Sequence, residues 1–317
     1  MRKIALEEHF TTPELAKKYV ARPTQSDVLF ADVERRLADF DELRLETMDK
    51  TGIDVMVLSV TTPGVQGEPD AEQAIRLAHD ANDLLAREVQ KRPDRYAGFA
   101  HLPMQDAKAA ATELERSVRD LGFKGALING QTNGHYLDED QYLPFWERVQ
   151  ELDVPVYLHP GAMADHPAMF AHHPELDGPT WAWTAETATH ALRLVFGGTF
   201  TRFPGVKVIL GHMGETLPFL LWRFDSRREF DLGKKLAPEA LPSTIIKRNI
   251  AITTSGVCDA GPLVAAIQAF GEDSVMFSID YPYEDAQIAS DFIEVAPIGE
   301  KARAKVCHGN AERLLRL

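Results

Sequence analysis

Cysteine is nearly absent: 317 residues hold two, Cys258 and Cys307, far apart in the chain. That excludes a disulfide framework and a CxxC metal knuckle, and it predicts a reducing cytoplasm. Positive charge is scarce too. Lys and Arg number 34 against 48 Asp and Glu, for a formal net charge of -14. A surface of that sign disfavours nucleic acid and anionic membrane as partners. It still admits a small anionic substrate where an ion or an arginine reverses the local field. No apolar run reaches membrane-span length, and the opening Met1-Arg2-Lys3-Ile4 lacks the apolar stretch of a signal peptide. No GxGxxG follows the first apolar run, and there is no phosphate-binding loop, no GxSxG elbow and no strand-end lysine suited to a Schiff base.

What is present is an ordinary globular composition, 44 % apolar and 26 % charged, enough for a substantial core. Eight short apolar runs read as buried strands: 4–6, 55–60, 97–102, 125–128, 154–158, 206–210, 250–253 and 275–278. Helical patterns lie between them. Residues 71–91 repeat Ile75, Ala78, Ala81, Leu85 and Val89; 106–121 repeat Ala110, Leu114 and Val118 before Gly122; 215–228 and 261–270 read the same way. Eight βα units predict an α/β fold, a (β/α)8 TIM barrel with inserted helices and loops, as one domain over 1–317. Residues 161–180 form the longest irregular stretch, an elaborated loop after the fifth strand; His166, His172 and His173 within it read as solvated.

Catalysis in such a barrel sits where strands end. The first run, IALEEHF, ends in Glu7, Glu8 and His9, and burying such groups is costly without partners. Glu7 and His9 share one face of a strand and Glu8 points the other way. Strand three ends at His101, four at Asn129, five at His159, six at His212, seven near Thr253 and Thr254, and eight at Asp280. Glu7, His9, His159 and Asp280 make a mixed nitrogen and oxygen set suited to one divalent ion, Zn²⁺ or Mn²⁺, with positions open for substrate or water. A lone histidine is more often structural than ligating; what points to an ion is the joint appearance of these residues at separate strand ends. His212 and Glu215, three apart in LGHMGE, suit an acid/base histidine with its orienting carboxylate, on the expectation that a helix starts at Gly214; the bland reading of Glu215 is service to a helix dipole. Arg223 reads equally as a substrate-binding group or as half of a buried ion pair with Asp225. Asn129 can bind substrate or mark a turn before Gly130. Glu186 and His190, four apart, pair on one helix face in a structural role.

These motifs together resemble the amidohydrolase superfamily, in its branch of non-oxidative decarboxylases of the γ-resorcylate (2,6-dihydroxybenzoate) type. The resemblance runs through ALEEHF, RPDR (92–95), the 122–130 segment, LDVP-YLHP (152–160), GPTWA (178–182), ILGHMGE (209–215), ITTSG (252–256), FS-D-P-E (277–284) and NAERLL. It implies that Glu7, His9, His159 and Asp280 hold the ion with His212 and Glu215 beside it, and that the chain self-associates as a homodimer or homotetramer. Ile279 stands where Thr is common and Gly161 where resorcylate enzymes tend to carry Arg; the segment 131–142 is short. The implied reaction is decarboxylation of an ortho-hydroxybenzoate: 2,6-dihydroxybenzoate foremost, with 2,3-dihydroxybenzoate and salicylate as others. Asp280 would protonate the ring before CO₂ leaves. The competing expectations are a metal-dependent hydrolase of a lactone or amide, with Asp280 as base, and a non-catalytic ligand-binding barrel.

Overall fold

The computed structural model describes residues 1–18, 26–165 and 167–317, so His166 lies outside the described residues. The strands are β1 (Ile4–Phe10), β2 (Val55–Val60), β3 (Tyr96–Gly98), β4 (Ala126–Asn129), β5 (Val156–His159), β6 (Val208–Leu210), β7 (Ile250–Thr253) and β8 (Val275–Met276). All pair in parallel and in sequence order, β1 to β3 in one sheet and β4 to β8 in another. Single bridges span both seams, Ala100 with Ala126 and Glu8 with Tyr281. Backbone hydrogen bonds support them: Leu127 N to Ala100 O at 3.0 Å, and His9 N to Tyr281 O at 2.7 Å. Sequential parallel strands with contacts across both seams make the (β/α)8 arrangement that the alternating pattern predicts.

Alternate strand residues go to two cores. Ile4, Leu6, Val55, Val57, Ala97, Phe99, Leu127, Tyr157, Ile209 and Met276 cluster inside the strands, with Ala311 and Leu315 of the last helix packed beneath. Ala5, Phe10, Met56, Leu58, Ile128 and Leu158 face outward into the layer shared with the helices. In β1 the parity changes. The β1–β2 register shifts between Ala5 and Glu8, a bulge of one extra residue. Before it the even positions face inward; after it Glu7 and His9 do, while Phe10 goes to the outer core. The Ser278 hydroxyl accepts from both Leu6 N (3.0 Å) and Glu7 N (2.6 Å), so backbone groups at the bulge are satisfied.

Several boundaries differ from the sequence reading. β1 continues through EEHF to Phe10. β3 stops at Gly98 instead of reaching Leu102, and β8 holds only two residues. In both cases side chains take over backbone donors: Asn82 Oδ1 accepts from His101 N, Thr254 Oγ1 from Ser278 N, and Glu8 from Ile279 N and Tyr281 N. The helix over Ala71–Lys91 forms as expected, capped by Asp70, but it buries Ala74 and Leu77 and leaves Ile75 exposed. Asp106 caps the next helix, Ala107–Arg119, at its first turn.

The helix expected over 215–228 starts six residues late. His212, Met213, Gly214, Glu215 and Thr216 all have positive φ, a left-handed turn, and the helix begins at Leu221 and runs to Leu232. For each of the four non-glycine residues that backbone costs about 1–2 kcal/mol. A Gly214 N to Gly211 O bond of 2.7 Å and the burial of Met213 and Glu215 hold it in place. Such strain collects at functional sites.

Candidate metal centre

Along the inward face, each strand places a polar residue at or beyond its C-terminal end. Glu7 and His9 come from β1, His159 ends β5, and Asp280 follows β8 by four residues. One ligand atom from each of these four lies within 4.8 Å of all the others. His159 Nε2 stands 3.2 Å from Glu7 Oε1, and His9 Nε2 stands 3.3 Å from Asp280 Oδ1. Glu7 Oε1, His9 Nε2 and Asp280 Oδ1 are buried without a hydrogen-bond partner. Orphaned polar atoms at such density are expensive. Two imidazole nitrogens and two carboxylates facing one point are the donor set of a divalent cation, so these residues fit one.

The groups behind them fix their orientation. His159 Nδ1 is 2.8 Å from Pro160 O and His9 Nδ1 is 3.3 Å from Ser59 Oγ, which leaves each Nε2 facing the centre. The buried Tyr157 hydroxyl donates to Glu7 Oε2 and lies 2.8 Å from Thr253 Oγ1. Gly211 is needed for space: a Cβ there would lie 2.4 Å from Glu7 Oε2. Glu8 points outward, as the parity argument requires, and accepts from Ile279 N at 3.0 Å and Tyr281 N at 3.2 Å. Buried Arg44 donates to His9 O at 2.6 Å and lies over the Tyr281 ring, 4.7 Å from its centroid. Ser59, Tyr157, Ser278 and Arg44 escaped the sequence reading. Only Tyr157 carried a signal, being two before His159 on the same strand face.

His212 Nδ1 lies 2.7 Å from Glu215 Oε1, so that pair forms although the helix meant to carry it begins only at Leu221. Its Nε2 faces Glu7 Oε1 at 3.7 Å and Asp280 Oδ2 at 3.8 Å. Burial alone would lower the His212 pKa, but the surrounding Glu215, Glu7 and Asp280 outweigh it and hold the imidazole protonated well above its ordinary range. Burial alone would raise the Asp280 pKa, yet the facing His212 and His9 imidazoles outweigh it and keep the carboxyl far below the usual carboxylate range. His9 is lowered, chiefly by burial, and so is held neutral as a ligand requires.

The other candidates fall as follows. Asn129 ends β4 on the inward face, paired in register with His159, and its buried Oδ1 has no partner. His101 is buried apart from the four-residue group; its Nε2 accepts from Val65 N at 2.7 Å and burial lowers its pKa to about 3. Thr254 caps the start of the β8 exit, its hydroxyl donating to Ser278 O. Arg223 is exposed on the 221–232 helix. The buried ion pair with Asp225 is not formed, because Ser243 N and Oγ occupy that carboxylate at 2.8 and 2.6 Å. Gly161 sits against the β4 exit, where a Cβ would come within 2.6 Å of Asn129 O; an arginine there would need the loop to move. His172 and His173 are exposed, as expected of the long loop.

Parallel strands in barrel order with a carboxylate–histidine cluster at their C-terminal ends define a metal-site class of (β/α)8 protein. The chain belongs to the amidohydrolase family, whose model matches residues 9–317. It is 44 % identical to the γ-resorcylate decarboxylase of Rhizobium sp. (strain MTP-10005), covering 99 % of this chain and 98 % of that one. A crystal structure of 2,6-dihydroxybenzoate decarboxylase complexed with 2,6-dihydroxybenzoate superposes with a TM-score of 0.91 at 42 % identity, covering all of both chains. A dihydroxybenzoic acid decarboxylase from Polaromonas sp. JS666, with bound manganese and the inhibitor 2-nitroresorcinol, also gives 0.91 at 42 % identity, covering 99 % of this chain and 97 % of that one.

Proposed function

We propose that this protein is a metal-dependent non-oxidative decarboxylase of an ortho-hydroxybenzoate, with 2,6-dihydroxybenzoate the substrate that the similarities favour. The observation that carries the reading is the inward-facing Glu7, His9, His159 and Asp280 group with three of its ligand atoms orphaned. One divalent ion held there, Mn²⁺ by analogy with the Polaromonas enzyme or else Zn²⁺, would supply positive charge opposite the adjacent carboxylate and hydroxyl oxygens of such a substrate.

The chain's own residues supply the proton. Direct loss of CO₂ from an aryl ring leaves an unstable carbanion, so the ring carbon bearing the carboxylate is protonated first. Asp280 delivers that proton; the C–C bond then breaks, its electron pair restores the aromatic ring, and CO₂ departs. Asp280 is held ionised, so it must first be loaded. His212, protonated and oriented by Glu215, has its Nε2 3.8 Å from Asp280 Oδ2 and is the group placed to load it. Asn129, with its free Oδ1 on the inward face, binds a ring hydroxyl.

Self-association belongs to the same proposal. Phe219, Trp222 and Phe230 are exposed around Arg223, a surface that a second copy would cover, and light scattering on the purified protein would read the assembly. The two free thiols suit the cytoplasm, and no described helix is long and apolar enough to cross a membrane. The deciding experiment is CO₂ release from a panel of hydroxybenzoates by metal-loaded protein. Benzoates with an ortho hydroxyl turn over and 4-hydroxybenzoate does not; comparable turnover of both would refute the two-oxygen grip.

A further inference from the structure

Helix Ala182–Phe196 carries a group that the mechanism above does not use. Glu186 is 3 % exposed, and neither of its carboxyl oxygens makes a hydrogen bond of normal geometry. Its neighbours come from four elements. From its own helix, His190 Nδ1 faces Oε1 at 3.9 Å, too far for a direct bond. The loop after β4 brings Tyr136, whose ring stands edge-on to His190, and a Cβ on Gly130 would lie 3.6 Å from Glu186 Oε2. Gly161, two residues past His159, packs on Gly130. The left-handed turn at 212–215 packs against this helix and presents Glu215, whose Oε2 is also buried and unpartnered.

The tautomer of His190 follows from its contacts. Its Nε2 accepts from Leu137 N at 3.0 Å and burial lowers its pKa to about 3, so the ring is neutral with its hydrogen on Nδ1. Arg193 of the same helix lies over the Tyr136 ring and pairs with Asp138, so its charge is spent away from Glu186. Glu186 thus faces only weak donors, His190 and the Thr187 and Tyr136 hydroxyls, and one carboxylate, Glu215. Unpaired buried atoms in such number are normally bridged by a buried water with two to four polar partners.

We propose that Glu186 is a positioning residue for the proton-handling pair: its carboxyl O–H, relayed by a bridging buried water, supplies the hydrogen bond that Glu215 Oε2 lacks, and so fixes the carboxylate that orients His212. The proton is available for this. Burial, then the neighbouring Glu215 charge, pushes Glu186 up to about 8, against the weaker pull of the Thr187 and Tyr136 hydroxyls. Two buried carboxyls side by side cannot both ionise cheaply, and Glu186 is the one with no cationic partner, whereas Glu215 Oε1 lies 2.7 Å from His212 Nδ1. Losing an outer partner of this kind typically costs about 10–100-fold in activity.

The test compares Glu186→Gln, Glu186→Leu and wild type as metal-loaded proteins, with two readouts. The first needs no substrate. A carboxyl with a raised pKa binds its proton more tightly folded than unfolded, so wild-type stability falls as pH rises from about 4.5 to 8, and Glu186→Gln lacks that component. The melting temperature of Glu186→Gln relative to wild type therefore climbs across that window; a constant difference overturns the proposal. The second readout rests on the decarboxylase reading. Glu186→Leu lowers kcat on 2,6-dihydroxybenzoate about tenfold or more with metal content and KM little changed, and Glu186→Gln, which keeps an N–H donor, restores it. Equal loss in both variants, or none in Glu186→Leu, overturns the proposal. If Glu186→Leu does not fold, Glu186→Gln with an unchanged pH dependence of stability still refutes it. If wild type releases no CO₂, the functional reading fails while the stability readout still decides the state of Glu186.

Discussion

Replacing Tyr157 by Phe removes one oxygen from the buried base of the centre and little else. That hydroxyl donates to Glu7 Oε2 and meets Thr253 Oγ1 at 2.8 Å, in a place closed to solvent. Phe keeps the ring packed against Phe99, whose centroid is 6.0 Å away, so the barrel interior stays filled. Two losses follow. Glu7 gives up a hydrogen bond to an ionised group, worth about 1.5–3 kcal/mol. No water can easily replace it, because Gly211 lies against the same oxygen. If that loss falls on the ion-holding geometry, affinity drops by about 10–100-fold, since each 1.4 kcal/mol is a factor of ten. The same range is typical for removing a group that orients a metal ligand. The assay is competition for Mn²⁺ against a chelator of known affinity, with wild type and Tyr157→Phe side by side. Agreement of the two affinities within twofold would refute the claim that Tyr157 orients Glu7 as a ligand.

Other outcomes follow from the same geometry. His159→Ala abolishes stoichiometric metal and activity together while far-UV circular dichroism stays that of the folded barrel; a variant with full metal and normal turnover would sink the ligand assignment. Asp280→Asn keeps a coordinating oxygen but no transferable carboxyl proton, so decarboxylation falls by about 10²–10⁴-fold, more than metal binding does; retention of most of the rate with metal bound would pass the proton-donor role to His212. In chelator-treated protein, His212 has a raised pKa, so its stabilisation is complete below the ordinary value near 6.5 and is lost as pH rises through the folded value. Asp280 is lowered, so its contribution is present above the ordinary carboxylate range and is lost only as pH falls through its depressed value. Melting curves of the chelated protein against those of His212→Gln should therefore converge at alkaline pH; a gap independent of pH would refute the ion-pairing assigned to His212.

The parts of this site that were legible in the sequence are those set by local rules. Glu7, His9, His159 and Asp280 stood out because polar residues end apolar runs, and period-two alternation put Glu7 and His9 on one face. What was hidden depends on distant partners. The β1 bulge is satisfied by Ser278, more than 270 residues away, and nothing in IALEEHF announces that Leu6 and Glu7 both face inward. The short β8 ends early because Glu8 of β1 and Thr254, just past the end of β7, take its donors. LGHMGE reads as a helix start, since its spacing and its acidic residue fit one; five left-handed residues in a row are visible only when burial and the His212–Glu215 bond are seen to hold them. Arg223 follows three apolar residues, which leaves a buried ion pair and substrate binding equally open in the sequence, whereas it lies on an open face beside exposed Trp222.

In the proposed reaction the protein protonates the ring before CO₂ leaves, at a centre that needs its ion. Running metal-loaded protein with 2,6-dihydroxybenzoate in D₂O and examining the aromatic product by mass spectrometry and NMR tests both halves at once. The expected result is one CO₂ per product molecule, one deuterium on the vacated ring carbon, and loss of both when the metal is chelated. Undiminished CO₂ release after the metal is stripped, or a product with no deuterium at that carbon, would contradict it.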